Sequence, residues 1–146
     1  MKKISYILLL SIWVGFSLAS CESELGEITG VTKAQVFPGV PHGHIYLKYT
    51  AQFKVNKPLK INKLELILSD GNILIEDYKI INTQNNQLWK GKDFIAPGNY
   101  RLVILLPRSP ILDKEGEKLQ AGLLSESGKQ LVVSAPVKKT ADIYHR

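Results

Sequence analysis

Apolar and polar residues alternate without interruption along residues 45–55. Ile45, Leu47, Tyr49, Ala51, Phe53 and Val55 fall on one side, and Tyr46, Lys48, Thr50, Gln52 and Lys54 on the other. A period of two predicts an extended strand with one face buried and one face wet. Residues 31–37 predict a strand before it. The intervening Pro38-Gly39-Val40-Pro41-His42-Gly43 predicts a loop, because its prolines and glycines break a ladder.

The same reading continues downstream. Leu64, Leu66 and Leu68 alternate with Glu65, Ile67 and Ser69, then Ser69-Asp70-Gly71-Asn72 makes a turn and Ile73-Leu74-Ile75 resumes, which predicts a hairpin. The apolar phase slips between Ile61 and Leu64, which predicts a bulge or break near Asn62. Residues 78–81 continue as strand, residues 82–87 are polar loop, and Leu88-Trp89 offers a short apolar anchor. Residues 107–128 hold no period for long. Leu119, Ala121 and Leu123 fit a short strand or a helical turn or two. Residues 129–134 read as the last strand, and residues 137–146 as a polar tail or frayed edge.

Ile95-Ala96-Pro97-Gly98-Asn99-Tyr100 leads into Arg101-Leu102-Val103-Ile104-Leu105-Leu106. This resembles the tyrosine corner of Greek-key β-sandwiches, with Pro97, Gly98 and Tyr100 at the matching positions. The resemblance implies that the Tyr100 hydroxyl bonds back to the preceding connection. With short strands separated by regular turns, it leads to the expectation of an all-β chain, a single immunoglobulin-like antiparallel β-sandwich.

The first residues follow another rule. Lys2 and Lys3 precede an apolar run from Ile4 to Ser17, too short for a comfortable membrane span. Leu18-Ala19-Ser20-Cys21 then resembles the lipobox of bacterial lipoproteins. The resemblance implies a signal peptide over 1–20, cleavage between Ser20 and Cys21, and a diacylglyceryl thioether on the Cys21 thiol. It places the protein in the cell envelope, attached to a membrane by lipid, most naturally the outer membrane. Residues 21–30 read as a lipidated tether and 31–146 as the sandwich domain. Acidic Glu22 and Glu24 are similar to the surface-export signals of some outer-membrane lipoproteins, although a solvated linker is the plainer reading.

Composition narrows the chemistry. Cys21 is the one cysteine, so once it is lipidated no disulfide, Cys nucleophile or Cys metal ligand remains. The net charge is +6, from 19 basic and 13 acidic residues, and two of the bases are Lys2 and Lys3. The rest are scattered through strand-like segments rather than clustered, so nucleic acid is not an expected partner.

Few residue sets suggest a reaction. His42 and His44 project from one side of an extended segment and could share a metal, but the third histidine is His145 and no carboxylate is near in sequence. An exposed loop is the simpler reading. Glu76 and Asp77 are adjacent, so a strand would point them apart. Asp113, Glu115 and Glu117 lack the order of a calcium loop and read as a solvated hairpin. Serine-hydrolase, phosphate-loop and zinc-protease motifs are absent. Tyr46 and Trp89 would suit sugar stacking or a protein partner if exposed, but Trp89 and Tyr100 are expected in the core and Tyr46 over an edge. The expected role is that of a non-catalytic protein-binding or assembly-accessory lipoprotein. It would need no cofactor, and its contacts would come from the irregular segments 38–44 and 107–128. A glycan-binding accessory is the alternative, and a small envelope hydrolase a third.

Overall fold

The computed structural model describes residues 24–40, 43–91, 93–113 and 116–145. Strands β1 (Gly26–Phe37), β2 (Tyr46–Val55), β3 (Leu59–Leu68), β4 (Gly71–Leu74), β5 (Lys79–Asn82), β6 (Gly98–Pro107), β7 (Lys118–Ser125), β8 (Gln130–Lys139) and β9 (Ile143–Tyr144) carry most of it. Among the described residues the helical content is one 3-10 turn, Pro110–Asp113, and no helix is long and apolar enough to cross a membrane. The lipobox, including Ser20 and Cys21, and the apolar run before it lie outside the described residues.

The strands form one curled mixed sheet in the order β4-β3-β7-β8-β1-β2-β6-β5, with β9 also on β1. β8 is the seam. Residues 130–136 pair antiparallel with β7, and Val137, Lys138 and Lys139 then pair parallel with Val31, Thr32 and Lys33. The expected all-antiparallel pairing is thereby corrected. The chain returns to the open edge of β1 only at its end, travelling in the direction of β1. The expected polar tail is corrected with it, because residues 137–139 are strand and β9 pairs parallel with Val36 and Phe37. A stacked ring pair, Phe37 and Tyr144, closes that end at 4.8 Å between centroids.

β2 forms as its alternation predicts. Leu47, Tyr49, Ala51, Phe53 and Val55 are at most 2% exposed and face the core, with Lys48 and Thr50 half-buried and Gln52 and Lys54 exposed on the other side. Burial of such side chains contributes about 1.5–3 kcal/mol each and drives the curling. Leu64, Leu66, Leu119, Ala121 and Leu123 supply the opposing half of the same core. Residues 118–125 are thus an interior strand between β3 and β8, the strand alternative that Leu119, Ala121 and Leu123 offered within the irregular stretch 107–128.

Two bulges set the phases. β1 shifts register against β2 between Thr29 and Thr32, where Gly30 adopts φ 57°, a left-handed conformation cheap only for glycine. β3 shifts against β7 between Ile61 and Lys63. There the Asn62 side chain presses on Gly122, where a Cβ would lie 2.4 Å from Oδ1. The start of β1 also revises the expected tether. Gly26, Glu27, Ile28 and Thr29 pair with β2, and Leu25 and Ile28 are each 4% exposed, so this part of residues 21–30 is sheet.

Tyr100, 5% exposed, donates its hydroxyl to the Ala96 carbonyl at 2.7 Å, across Pro97 and Gly98. Burial raises its pKa. Tyr100→Phe should lower stability by about 1 kcal/mol, because the exposed Ala96 carbonyl can regain water. Denaturant midpoints of the two proteins check this, and equal midpoints would leave the hydroxyl without a structural role.

Candidate functional site

Two polar arrangements stand out, one inside the sheet and one on its outer face. The inner one begins with Lys33. After the Gly30 bulge, Lys33 lies directly opposite Tyr49, on the face that points to the core. Its ammonium forms an ion pair with Glu117 and donates to the Leu112 carbonyl at 2.7 Å. The other Glu117 oxygen accepts the Tyr49 hydroxyl at 2.8 Å. Lys33 is 8% exposed and Glu117 3%. The expected solvated position of Glu117 is corrected: it immediately precedes β7, is 3% exposed, and its own carbonyl accepts from Val137 at 3.0 Å. The arrangement joins β1, β2, the 3-10 turn and β7. Every group in it is engaged by protein, so it fits a clamp holding the 107–117 connection better than a reacting centre.

The outer arrangement comes from the wet face of β2 and its neighbours. Register places Lys48 beside Leu105, Thr50 beside Val103 and Lys79, and Gln52 beside Arg101 and Ile81. Here a groove of about 700 Å³ runs over β5, β6, β2 and β1 to β9. Ile81 and Val103 are half-buried in it and Val36 is 9% exposed, while Tyr46 at 42% and Leu105 at 51% stand higher. Lys48, Lys79, Arg101 and His145 line the groove, and no carboxylate does among the described residues. None of Lys48, Lys79 and Arg101 has an ion pair among the described residues. Bases that are scattered in sequence thus gather on one face. Tyr46 belongs here, on an interior strand and not over an edge as expected.

Other sequence candidates fall elsewhere. His42 lies outside the described residues, as does Glu115; His44 lines a separate shallow hollow with Tyr46, Pro107 and Arg108. Among the described residues no group of three His, Cys, Asp or Glu side chains could hold a metal. Glu76 and Asp77 are exposed in the connection between β4 and β5. Glu76 lines a furrow of about 340 Å³ with Tyr78, Trp89 and Asp93. Tyr78 and Trp89 pack against the core, and burial raises the Tyr78 pKa. Gly91 presses on Trp89, where a Cβ would lie 2.8 Å from the ring, so that ring does not offer two free faces for a sugar. No local pattern announces the Lys33–Glu117 pair. For the groove the one signal in sequence was Tyr46 on the polar side of the best strand. Comparison with models of known protein families finds no match, and comparison with curated proteins finds no relative.

Proposed function

We propose that this chain is an envelope lipoprotein, anchored through lipidated Cys21, whose domain is a non-catalytic protein-binding module of immunoglobulin-like sandwich architecture. The observation that carries the binding reading is the outer groove: an apolar floor beside which Lys48, Lys79 and Arg101 have no ion pair among the described residues. Solvated cations over an apolar strip suit a partner surface, whereas a reaction would need converging groups with a nucleophile or metal. The lipobox supports the anchor. Glu24 pairs with Lys57 at 2.7 Å, which holds the start of the domain three residues after Cys21. Lys57 lowers the Glu24 pKa, first through that hydrogen bond and then by its charge, with Lys129 adding to it. A partner near the same membrane then meets the groove at raised effective concentration, and modest affinity suffices.

Cys21→Ser should abolish incorporation of a palmitate analogue, since it removes the thiol that forms the thioether, Cys21 being the one cysteine. Equal labelling of both proteins would refute the anchor. The binding reading is tested by photo-crosslinking in intact cells from a benzophenone amino acid at position 46, beside a hydrolase panel on the purified protein. A discrete crosslinked partner is expected. Turnover abolished by His42→Ala or His44→Ala, with no partner captured, would replace this reading with an enzyme.

A further inference from the structure

We infer that the outer groove binds an extended acidic segment of a partner protein, with apolar residues alternating between its carboxylates. This rests on the binding-module reading and names its ligand. On this face Lys48 shares a cross-strand row with Leu105, Lys79 with Val103, and Arg101 with Ile81. These are three successive rows of the same face, so they step by two residues, about 6.8 Å each. The three cations stand on three different strands, β2, β5 and β6, so they spread across the groove as well as along it. Each row offers one cation and one apolar group. On the one face that an extended segment turns to the sheet, residues i, i+2 and i+4, apolar side chains settle on Val103, Ile81 and Leu105, and the carboxylates that alternate with them on that face meet the ammonium and guanidinium groups. Long Lys and Arg stems lie along apolar surface with their charges raised, so one strip serves both.

Shape favours a chain over a bilayer. Val36, Ile81 and Val103 are half-buried or buried on the floor, within reach of a single chain and not of a flat surface. The groove spans the rows from Arg101, opposite Gln52, to Tyr46, opposite Val36. That is roughly 20 Å along the strands, the length of about six or seven extended residues. Its Tyr46 end lies at the far end of β1 from Gly26.

The test uses the mature lipidated protein in phosphatidylcholine nanodiscs and a fluorescent octapeptide of paired residues, Glu-Glu-Val-Val-Glu-Glu-Val-Val, which shows glutamate and valine alternately on each face. The peptide should bind, at least tenfold more weakly when glutamine replaces glutamate, and at least tenfold more weakly to K48Q/K79Q/R101Q. K60Q/K63Q, on the other half of the sheet, should bind as the parent does. Unchanged thermal unfolding of the triple variant shows that it is folded. Equal binding by parent and triple variant overturns the inference, as does equal binding of the glutamine peptide. Loss of peptide binding when phosphatidylglycerol is added to the discs assigns the groove to anionic lipid and also overturns it. In cells, a crosslinked partner retained by the triple variant overturns the acidic-segment inference while the binding-module reading stands. Absence of any partner from the parent protein defeats that reading itself.

Discussion

Glu117→Ala should destabilise the domain by about 3–5 kcal/mol, the cost of removing one member of a buried ion pair. Lys33 would keep the Leu112 carbonyl but hold its charge at 8% exposure without the carboxylate, and the Tyr49 hydroxyl, fully buried, would lose its acceptor. Domains of this size are stable by about 5–15 kcal/mol, so the guanidinium midpoint should fall by a large fraction. Replacing the whole set tells clamp from simple loss of packing. Lys33→Met, Tyr49→Phe and Glu117→Leu together remove every charge and hydroxyl while keeping volume. That variant should be at least as stable as the parent, up to about 1–4 kcal/mol more so. A Glu117→Ala midpoint within the spread of surface substitutions, about 0.5 kcal/mol, would show that the pair holds nothing.

That clamp was out of reach of sequence reading for a definite reason. Lys33 and Glu117 are 84 residues apart, and neither stands in an apolar run. In β1 the two candidate faces, Val31-Lys33-Gln35-Phe37 and Thr32-Ala34-Val36, are almost equally apolar. The phase is set instead by the Gly30 bulge, which turns Lys33 inward opposite Tyr49. The parallel pairing of β8 and β9 with β1 was hidden in the same way, since no local pattern says which open edge the last strand meets. The outer groove depended on registers among three strands. Lys48, Lys79 and Arg101 look scattered until β2–β6 and β5–β6 pairing puts them in successive rows. Features carried by local period or turn chemistry were legible. The alternation gave β2, and Ser69-Asp70 joins β3 to β4 where Leu68 pairs with Gly71. The phase slip near Asn62 marks the shift between Ile61 and Lys63.

Phe53→Ala should cost about 3–5 kcal/mol, while Lys54→Ala, one residue along the same strand, should change stability by less than about 0.5 kcal/mol. Phe53 is 1% exposed and lies between its register partners Ile28 and Tyr100, themselves 4% and 5% exposed. Truncation therefore opens a cavity between the two bulkiest neighbours of the inner face, on a strand hydrogen-bonded on both sides and poorly able to collapse around it. Lys54 is exposed and its partners Glu27 and Asn99 face the same solvent-facing side. The pair of substitutions is a direct probe of phase, because a slip of one residue would exchange the two faces along the whole strand. It would also carry Lys48 inward and dissolve the row of cations. Guanidinium midpoints of both variants, measured beside the parent at one temperature, decide it. Comparable losses for Phe53→Ala and Lys54→Ala would refute this register, and with it the outer groove as described.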